Sequence, residues 1–300
     1  MSEQKWLNCR LIDLAEQLEP NGHAVSLPVI SRILRAQNYN LRVNVKQVAG
    51  KQVPERDQQF RHLREQRTEH LQAGEPSISV DTKKKELIGN FKNAGRIWCK
   101  SPQKVDVHDF PSDALGRAVP YGIYDLRHNC GTVYIGTSGD TPAFAVDNIA
   151  HWCQGEMSER YPRPSRLFIE ADSGGSNSAR SRVWKQHLQL KVADAFGLTI
   201  TVCHYPTGTS KWNPVEHRLF SEISKTWAGC PLRSFDLMQQ YISETKTETG
   251  LSVRAHLVTQ EYKTGLAVSD DEMDALNLQR HETCPQWNYT IHPRPSRSDF

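Results

Sequence analysis

From residue 75 onward, the order of predicted strands and helices restricts this chain to few folds. Alternating apolar patterns predict five strands, at residues 78–83, 121–126, 132–137, 167–171 and 198–203. Helical spacing predicts three helices, at residues 143–161, 178–196 and 214–227. Three antiparallel strands followed by parallel strands with crossover helices predict a mixed α/β sheet covered by helices. This is the element order of the ribonuclease H-like fold.

Three carboxylates occupy special positions in this order. Asp81 ends the first strand, Asp172 ends the fourth, and Glu216 follows Asn213-Pro214 at the start of the last helix. We therefore expect all three near one edge of the sheet. In-line displacement at a DNA phosphodiester uses two divalent cations about 3.5 to 4 Å apart, and Mg²⁺ prefers oxygen ligands. The pattern indicates a two-metal phosphoryl-transfer site.

The two aspartates each have a structural alternative. An Asp at a strand end is often a turn former, and this could account for Asp81. The three lysines that follow it would offset its charge or contact phosphate: Lys83, Lys84 and Lys85. Asp172 precedes paired glycines, which let the backbone approach a ligand closely. A glycine-rich phosphate cradle is the alternative there, but the spacing matches neither the Walker nor the dinucleotide pattern.

Glu216 has the strongest structural alternative. Asn213 and Glu216 are spaced as a capping box, with Pro214 at the first helical position, and this would explain Glu216 without catalysis. Its position directly after a strand and loop favours a functional role.

Other side chains flank the expected site. His204 and His217 could orient water or contact phosphate, or could make structural hydrogen bonds. Trp212 could stack on a flipped base or wedge the loop against the core. Lys211, beside it, is a candidate DNA contact.

The first 50 residues contain two predicted helices. Apolar residues at helical spacing mark residues 11–18, and Ser26 is the expected N-cap of the second helix. A turn with Gly22 joins them, so the pair resembles a helix-turn-helix whose Arg32 and Arg35 would face a major groove. Any two amphipathic helices joined by a turn look similar, so a purely structural pair is the alternative.

The distribution of charge says more about partners than the total does. The formal net charge is only +3, but residues 31–67 carry nine Lys or Arg against three Asp or Glu. Such a region fits phosphate-backbone binding, with a solvated charged surface as the alternative.

Composition excludes several other classes of protein. No apolar run approaches the roughly 18 residues of a membrane span, and the start has no signal-peptide pattern. The seven cysteines include no C-x-x-C pair, so neither a disulfide framework nor a zinc knuckle is expected. We expect a soluble cytoplasmic protein with no membrane partner.

These patterns predict four regions. They are a partial helix-turn-helix DNA-binding region (1–50), a charged helical linker (51–75), the catalytic domain (76–240) and a partly disordered C-terminal extension (241–300). Residues 84–119 insert after the first strand, and residues 86–93 within them are expected to continue a hairpin.

Several blocks of sequence, in order, resemble one family. They are VDTKKKELIGNFKN (80–93), VHDF (107–110), PYGIYD (120–125), ADSGGSN (171–177) and TSKWNPVEHRLF (209–220). Together they resemble the bacterial insertion-sequence DDE transposases often called the Rhodopirellula transposase family, from about residue 26 to about residue 291. Members of that family carry a longer N-terminal region, so the resemblance implies a chain truncated at its N-terminus.

The resemblance implies a specific activity. It implies a ribonuclease H-like domain in which Asp81, Asp172 and Glu216 form an acidic triad that binds two Mg²⁺ ions, with Mn²⁺ as a substitute. Its implied reactions are cleavage at terminal inverted repeats and strand transfer into target DNA by a homo-oligomeric synaptic complex. A nucleoid-associated location follows from this.

Other functions remain open on the sequence. The main alternative is a catalytically inactive DNA-binding transposase remnant. A helix-turn-helix regulator with a ligand-sensing α/β domain and a cellular nuclease on the same fold are further alternatives.

Overall fold

The computed structural model describes residues 9–41 and 55–295, apart from the side chain of Ser210. The chain divides into two compact units, Met1–Gly50 and Lys51–Phe300. Within the described residues, no helix is both long enough and apolar enough to cross a bilayer.

The first unit contains the two predicted helices. They are α1 (Leu11–Leu18) and α2 (Leu27–Ala36), and the turn between them closes at Gly22, whose φ of 82° suits a residue without a Cβ. Ile30 is buried, whereas Arg32 and Arg35 are exposed. The helices are confirmed, and their binding to DNA stays a prediction.

The second unit is built on a mixed sheet. Its strands are β1 (Ser77–Thr82), β2 (Glu86–Ile88), β3 (Gly116–Asp125), β4 (Cys130–Gly136), β5 (Arg166–Ala171), β6 (Thr199–His204), β7 (Ser252–Val258), β8 (Leu278–Arg280) and β9 (Asn288–Ile291). In the described residues the strand order is β7-β4-β3-β1-β5-β6-β9-β8, and β2 pairs with β3. All five predicted strands are present, and β2 continues the expected hairpin.

The five central strands have the ribonuclease H-like arrangement. Strand β1 pairs antiparallel with β3, which pairs antiparallel with β4. On its other side β1 pairs parallel with β5, which pairs parallel with β6. The parallel pairs need crossover connections, and the helices between those strands supply them. The predicted fold is confirmed.

Helices cover both faces of this sheet. They are α3 (Arg56–Gln72), α4 (Pro142–Trp152), α5 (Ser158–Arg160), α6 (Arg182–Leu188), α7 (Asp194–Phe196), α8 (Ser221–Thr226), α9 (Phe235–Ser243) and α10 (Asp270–Asp274). Wide π turns join α4 to α5, join α6 to α7, and lead into α8 as Glu216–Phe220. One core lies beneath α4 and α6, and a second beneath α8 and α9.

The helix expected in a linker is part of the sheet domain. Gln59 of α3 is fully buried, and its amide donates to the carbonyl of His204 and to Asn288 Oδ1, at 2.8 and 2.7 Å. Arg67 of the same helix pairs with the buried Glu170 of β5. This helix therefore packs on β5 and β6, whereas its sequence pattern predicted a linker between domains.

The C-terminal region is part of the same sheet. Through residue 295 it contributes strands to both sides of the sheet, with β7 parallel to β4 and β9 antiparallel to β6. Residues 296–300 of the extension predicted to be partly disordered (241–300) lie outside the described residues. Sheet pairing across long sequence separations orders a segment whose composition alone resembles a loose terminus.

Candidate active site at the carboxyl edge of the sheet

Two of the predicted acids lie on adjacent strands in matching register. Val80 of β1 is the partner of Ala171 of β5, so the next residues along, Asp81 and Asp172, occupy neighbouring positions. Adjacent strands lie about 4.8 Å apart. Asp81 shares a face with Ser79, because side chains alternate along a strand. This is the face covered by the helix that carries Glu216, since Ser79 Oγ accepts from the backbone amide of Val215 at 3.0 Å.

Asn213 connects that helix to the first strand. Its side-chain amide donates to the carbonyl oxygen of Val80 at 3.3 Å and to Asp81 Oδ2 at 3.5 Å, and its Oδ1 accepts from Ser79. The backbone amide of Glu216 donates to the Asn213 carbonyl at 3.1 Å. The side chain of Asn213 is thus committed to β1, and the capping-box explanation of Glu216 does not hold.

Two glycines allow the helix to lie close to the sheet. A Cβ at Gly122 of β3 would collide with the ring of Phe220, and a Cβ at Gly131 of β4 would collide with Leu219. Both positions lie on the face covered by this helix, and Gly122 is also the β3 partner of Asp81. Sequence reasoning missed these two residues.

Burial raises the proton affinity of all three acids, and neighbouring carboxylates add to this effect at the two aspartates. Burial raises the pKa of Asp81 to about 8, and the charges of Asp172 and Glu216 contribute. Burial raises the pKa of Asp172 to about 6, with contributions from Asp140 and Glu216. Burial also raises the pKa of Glu216, against the opposing effects of Lys83 and His217. The structure therefore brings the three predicted acids into one electrostatic neighbourhood.

A fourth acid, Asp140, borders the same site. Its Oδ1 accepts from Thr82 Oγ1 at 3.0 Å, directly beside Asp81. Thr82 Oγ1 is also 3.2 Å from Ser176 Oγ, in the loop that follows Asp172. No sequence signal distinguished Asp140, because it precedes Thr141-Pro142 and resembles an ordinary loop acid before a helix.

His204 has a structural role. It is fully buried, its Nδ1 donates to the carbonyl of Asp172 at 2.9 Å, and its Nε2 lies 3.3 Å from Tyr289 Oη. Burial lowers the pKa of His204 to about 4, so the ring is neutral at physiological pH. Of the alternatives for His204, the structural hydrogen bond is the one observed, whereas His217 is exposed.

Five of the seven predicted DNA-contact residues belong to the second unit, whereas Arg32 and Arg35 belong to the first. Lys83 pairs with Glu86 at 2.7 Å, and its Nζ lies 4.8 Å from the centre of the Trp227 ring. The remaining four are exposed to solvent: Lys84, Lys85, Lys211 and Trp212.

The site fits divalent cations by its donors, although it is not a ready-made cage. Across residues 9–41 and 55–295, no three His, Cys, Asp or Glu side chains gather tightly enough to hold one ion together. However, Asp172 Oδ1 is buried and has no hydrogen-bond partner among the described residues. An unpartnered carboxylate oxygen beside two other acids is the environment that a hard cation stabilises.

The order and directions of the central strands define a ribonuclease H-like protein. The chain belongs to the family described as the Rhodopirellula transposase DDE domain, whose model matches residues 1–293. Among curated proteins, no significant match is found.

Solved structures with a similar chain path include three transposase complexes. A Mos1 transposase paired-end complex with left transposon end is 11% identical over 81% of this chain and 73% of that chain, with a TM-score of 0.47. The Mos1 strand transfer complex is 10% identical over 81% of this chain and 72% of that chain, also with a TM-score of 0.47. A mariner Mos1 paired end complex with Mg is 14% identical over 79% of this chain and 66% of that chain, again with a TM-score of 0.47. The ribonuclease H-like assignment made above depends on the strand order alone.

Proposed function

We propose that this protein cleaves DNA strands at transposon ends and joins them to target DNA in a reaction that depends on Mg²⁺ or Mn²⁺. The observation that carries the proposal is the matched register of Asp81 and Asp172, with Glu216 brought to the same edge by a helix packed on glycines. Family membership supports the class of reaction.

The three acids would hold two divalent cations through their carboxylate oxygens. Bound there, the ions would supply charge stabilisation at the scissile phosphate and an activated attacking oxygen. Asp81 and Asp172 would contact both ions, and Glu216 would complete the second position. Asn213 would keep Asp81 oriented, since its amide reaches both the backbone and the carboxylate of β1. These side chains contribute charge and position, with little proton transfer of their own.

The basic and aromatic residues would hold the DNA. Lys84, Lys85 and Lys211 are exposed near the acids and would contact phosphates, and Trp212, 54% exposed, would stack on a base. In the separate N-terminal unit, Arg32 and Arg35 would contact the terminal inverted repeats. A synaptic complex joins two DNA ends, so we expect at least two copies of this chain within it.

The test is cleavage of DNA that carries the inverted repeats flanking the gene, assayed with Mg²⁺, with Mn²⁺ and with EDTA. We expect metal-dependent nicks at the repeat ends and joined products with target DNA. Asp81→Asn should abolish both, whereas Glu222→Gln should leave them intact, because Glu222 pairs with Lys225 at 2.6 Å on the same helix. Sequence-specific retardation without cleavage under any metal condition would instead indicate the inactive remnant.

A further inference from the structure

The segment between β2 and β3 contains an exposed stretch that we call the arm, residues 94–104. Every one of its eleven residues is exposed, and the side chain of Trp98 is fully in solvent. Burying a tryptophan is favourable, so a fully exposed one on a soluble chain marks a contact surface.

The base of the arm is fixed to the protein. The backbone amide of Gly229 donates to the Ala94 carbonyl at 2.7 Å, and Asn93 Nδ2 donates to the carbonyls of Trp227 and Cys230 at 3.2 and 3.1 Å. A Cβ at Gly95 would collide with the next residue of that loop, Ala228. The exposed tip therefore projects from an anchored base.

That base lies beside the proposed active site. The loop it contacts, residues 227–230, follows directly on α8, the continuation of the helix that carries Glu216. Its Trp227 packs under Lys83, which is two residues beyond Asp81. The base of the arm is therefore connected to the acids through the contact between Trp227 and Lys83.

The charge of the segment indicates the kind of partner. Residues 87–105 contain no Asp or Glu, and their four cations form no ion pair with a described residue: Lys92, Arg96, Lys100 and Lys104. A uniform positive charge with an aromatic ring between the cations complements a nucleic acid strand, which offers phosphates and stackable bases. A second copy of this nearly neutral chain offers no such uniform negative charge.

We propose that the arm binds DNA beside the scissile phosphate, with Arg96, Lys100 and Lys104 on the backbone and Trp98 against a base. This inference depends on the proposed function for placing DNA at the site, and it assigns a contact surface outside the acids and the lysines that follow Asp81.

The test measures DNA binding in EDTA, where cleavage cannot occur, by fluorescence anisotropy of a labelled duplex across a series of salt concentrations. The variant that combines Arg96→Gln, Lys100→Gln and Lys104→Gln should flatten the slope of log affinity against log salt by about 2 to 3, because each phosphate contact contributes about 0.9. Trp98→Ala should weaken binding about tenfold or more. Lys246→Gln should behave as wild type and serve as the control, because Lys246 is an exposed cation beside the amino-terminal end of β7, opposite to the carboxyl edge of the sheet.

Unchanged affinity and salt slope in the arm variants would overturn the inference, as would a wild-type protein that binds no DNA. The arm variants could instead have a lower mass than the wild type by light scattering without DNA, while still binding DNA normally. That result would assign the arm to contact with a second copy and would also overturn the inference. The proposed function is tested separately with Mg²⁺. If the arm variants bind DNA normally and still cleave it as the wild type does, only the inference about the arm is refuted. If the arm variants bind DNA more weakly but the wild type cleaves no DNA, only the proposed function is refuted.

Discussion

The ring of Phe220 lies directly over Gly122, with no room between them for a Cβ atom. Gly122 is the strand partner of Asp81, and Phe220 is one turn beyond Glu216 on its helix. The distance between Asp81 and Glu216 therefore depends on the absence of a side chain at Gly122.

Adding a single methyl group at this position should damage both stability and activity. Gly122→Ala forces the helix of Glu216 away from the sheet, and overpacking of this kind costs about 1–3 kcal/mol of unfolding free energy. Metal-dependent cleavage should fall further than the stability loss explains. Denaturant unfolding and cleavage rates measured on the same preparation check this.

The matched control is Gly155→Ala, in the π turn after α4. A Cβ there meets nothing within 4 Å, and alanine favours a helix over glycine by about 1 kcal/mol. This variant should be as active as wild type and equally or more stable. Equal losses in the two variants would contradict the packing argument.

The stability of the metal-free protein should fall as pH rises. Burial and neighbouring charges raise the pKa of Asp81 to about 8, above its ordinary value of 3.8. Between these two pH values the folded state binds a proton that the unfolded state has released, so stability decreases across this interval. Asp81→Asn should reduce the dependence, with Asp172 and Glu216 keeping part of it, and should raise the melting temperature more at pH 8 than at pH 5. Asp109→Asn, at an exposed position, is the control. A wild-type melting temperature that stays constant from pH 5 to pH 8 in EDTA would contradict a raised pKa of Asp81.

Divalent cations should reverse that trend. Mg²⁺ or Mn²⁺ favours the ionised carboxylates, so adding it at pH 8 should raise the melting temperature of the wild type. Asp172→Asn should abolish most of this gain, because it removes the buried oxygen that has no other partner. Differential scanning fluorimetry with and without metal measures both values. A gain of the same size in Asp172→Asn would place the bound ion elsewhere.

Substitution of Asn213 should separate shape from charge. Asn213→Ala removes a donor to Val80 and an acceptor of Ser79, at a cost of about 1–3 kcal/mol in unfolding free energy. Asn213→Asp keeps the shape but adds a carboxylate beside Asp81, and like charges disfavour ionisation. The hydrogen bond from Asn213 lowers the pKa of Asp81, so the pH at which cleavage reaches half its maximum should move upward in Asn213→Ala and further upward in Asn213→Asp. Identical pH profiles would argue against contact between Asn213 and Asp81.

Helix α3 should contribute to stability through one buried ion pair. Arg67→Met leaves Glu170 buried without its partner, and such losses cost about 3–5 kcal/mol. Adding Glu170→Gln should recover much of this, since the uncompensated charge is then gone. Arg64→Met, an exposed position on the same helix, should be nearly neutral. The test is the unfolding free energy of five proteins: the wild type, the three single variants Arg67→Met, Glu170→Gln and Arg64→Met, and the double variant. Additive losses in the double variant would count against the pair.

The central strands were predictable because their patterns are local. Ile78 and Val80 alternate with polar neighbours, and the expected and observed bounds of β1 differ by one residue at each end. Strand β3 starts five residues earlier than expected because Pro120 interrupts its pattern. Pro120 lies just beyond the last β1 pair, Thr82–Tyr121, where its missing N–H interrupts only the end of that ladder.

The site was only partly predictable, because much of it depends on contacts between distant residues. Asp81 and Asp172 follow from strand ends alone. The attachment of Asn213 to β1 spans more than a hundred residues, and the sequence spacing suggested a local cap. The short strand β9 has too few residues for a pattern, and only its pairing with β6 reveals it.

The pairing of β9 with β6 also bears on how the protein is made. Tyr289 on β9 contacts His204, which in turn holds the backbone of Asp172. The backbone of Asp172 thus depends for support on a strand that is translated more than a hundred codons later. A nascent chain that ends before β9 would lack that support for the backbone of Asp172.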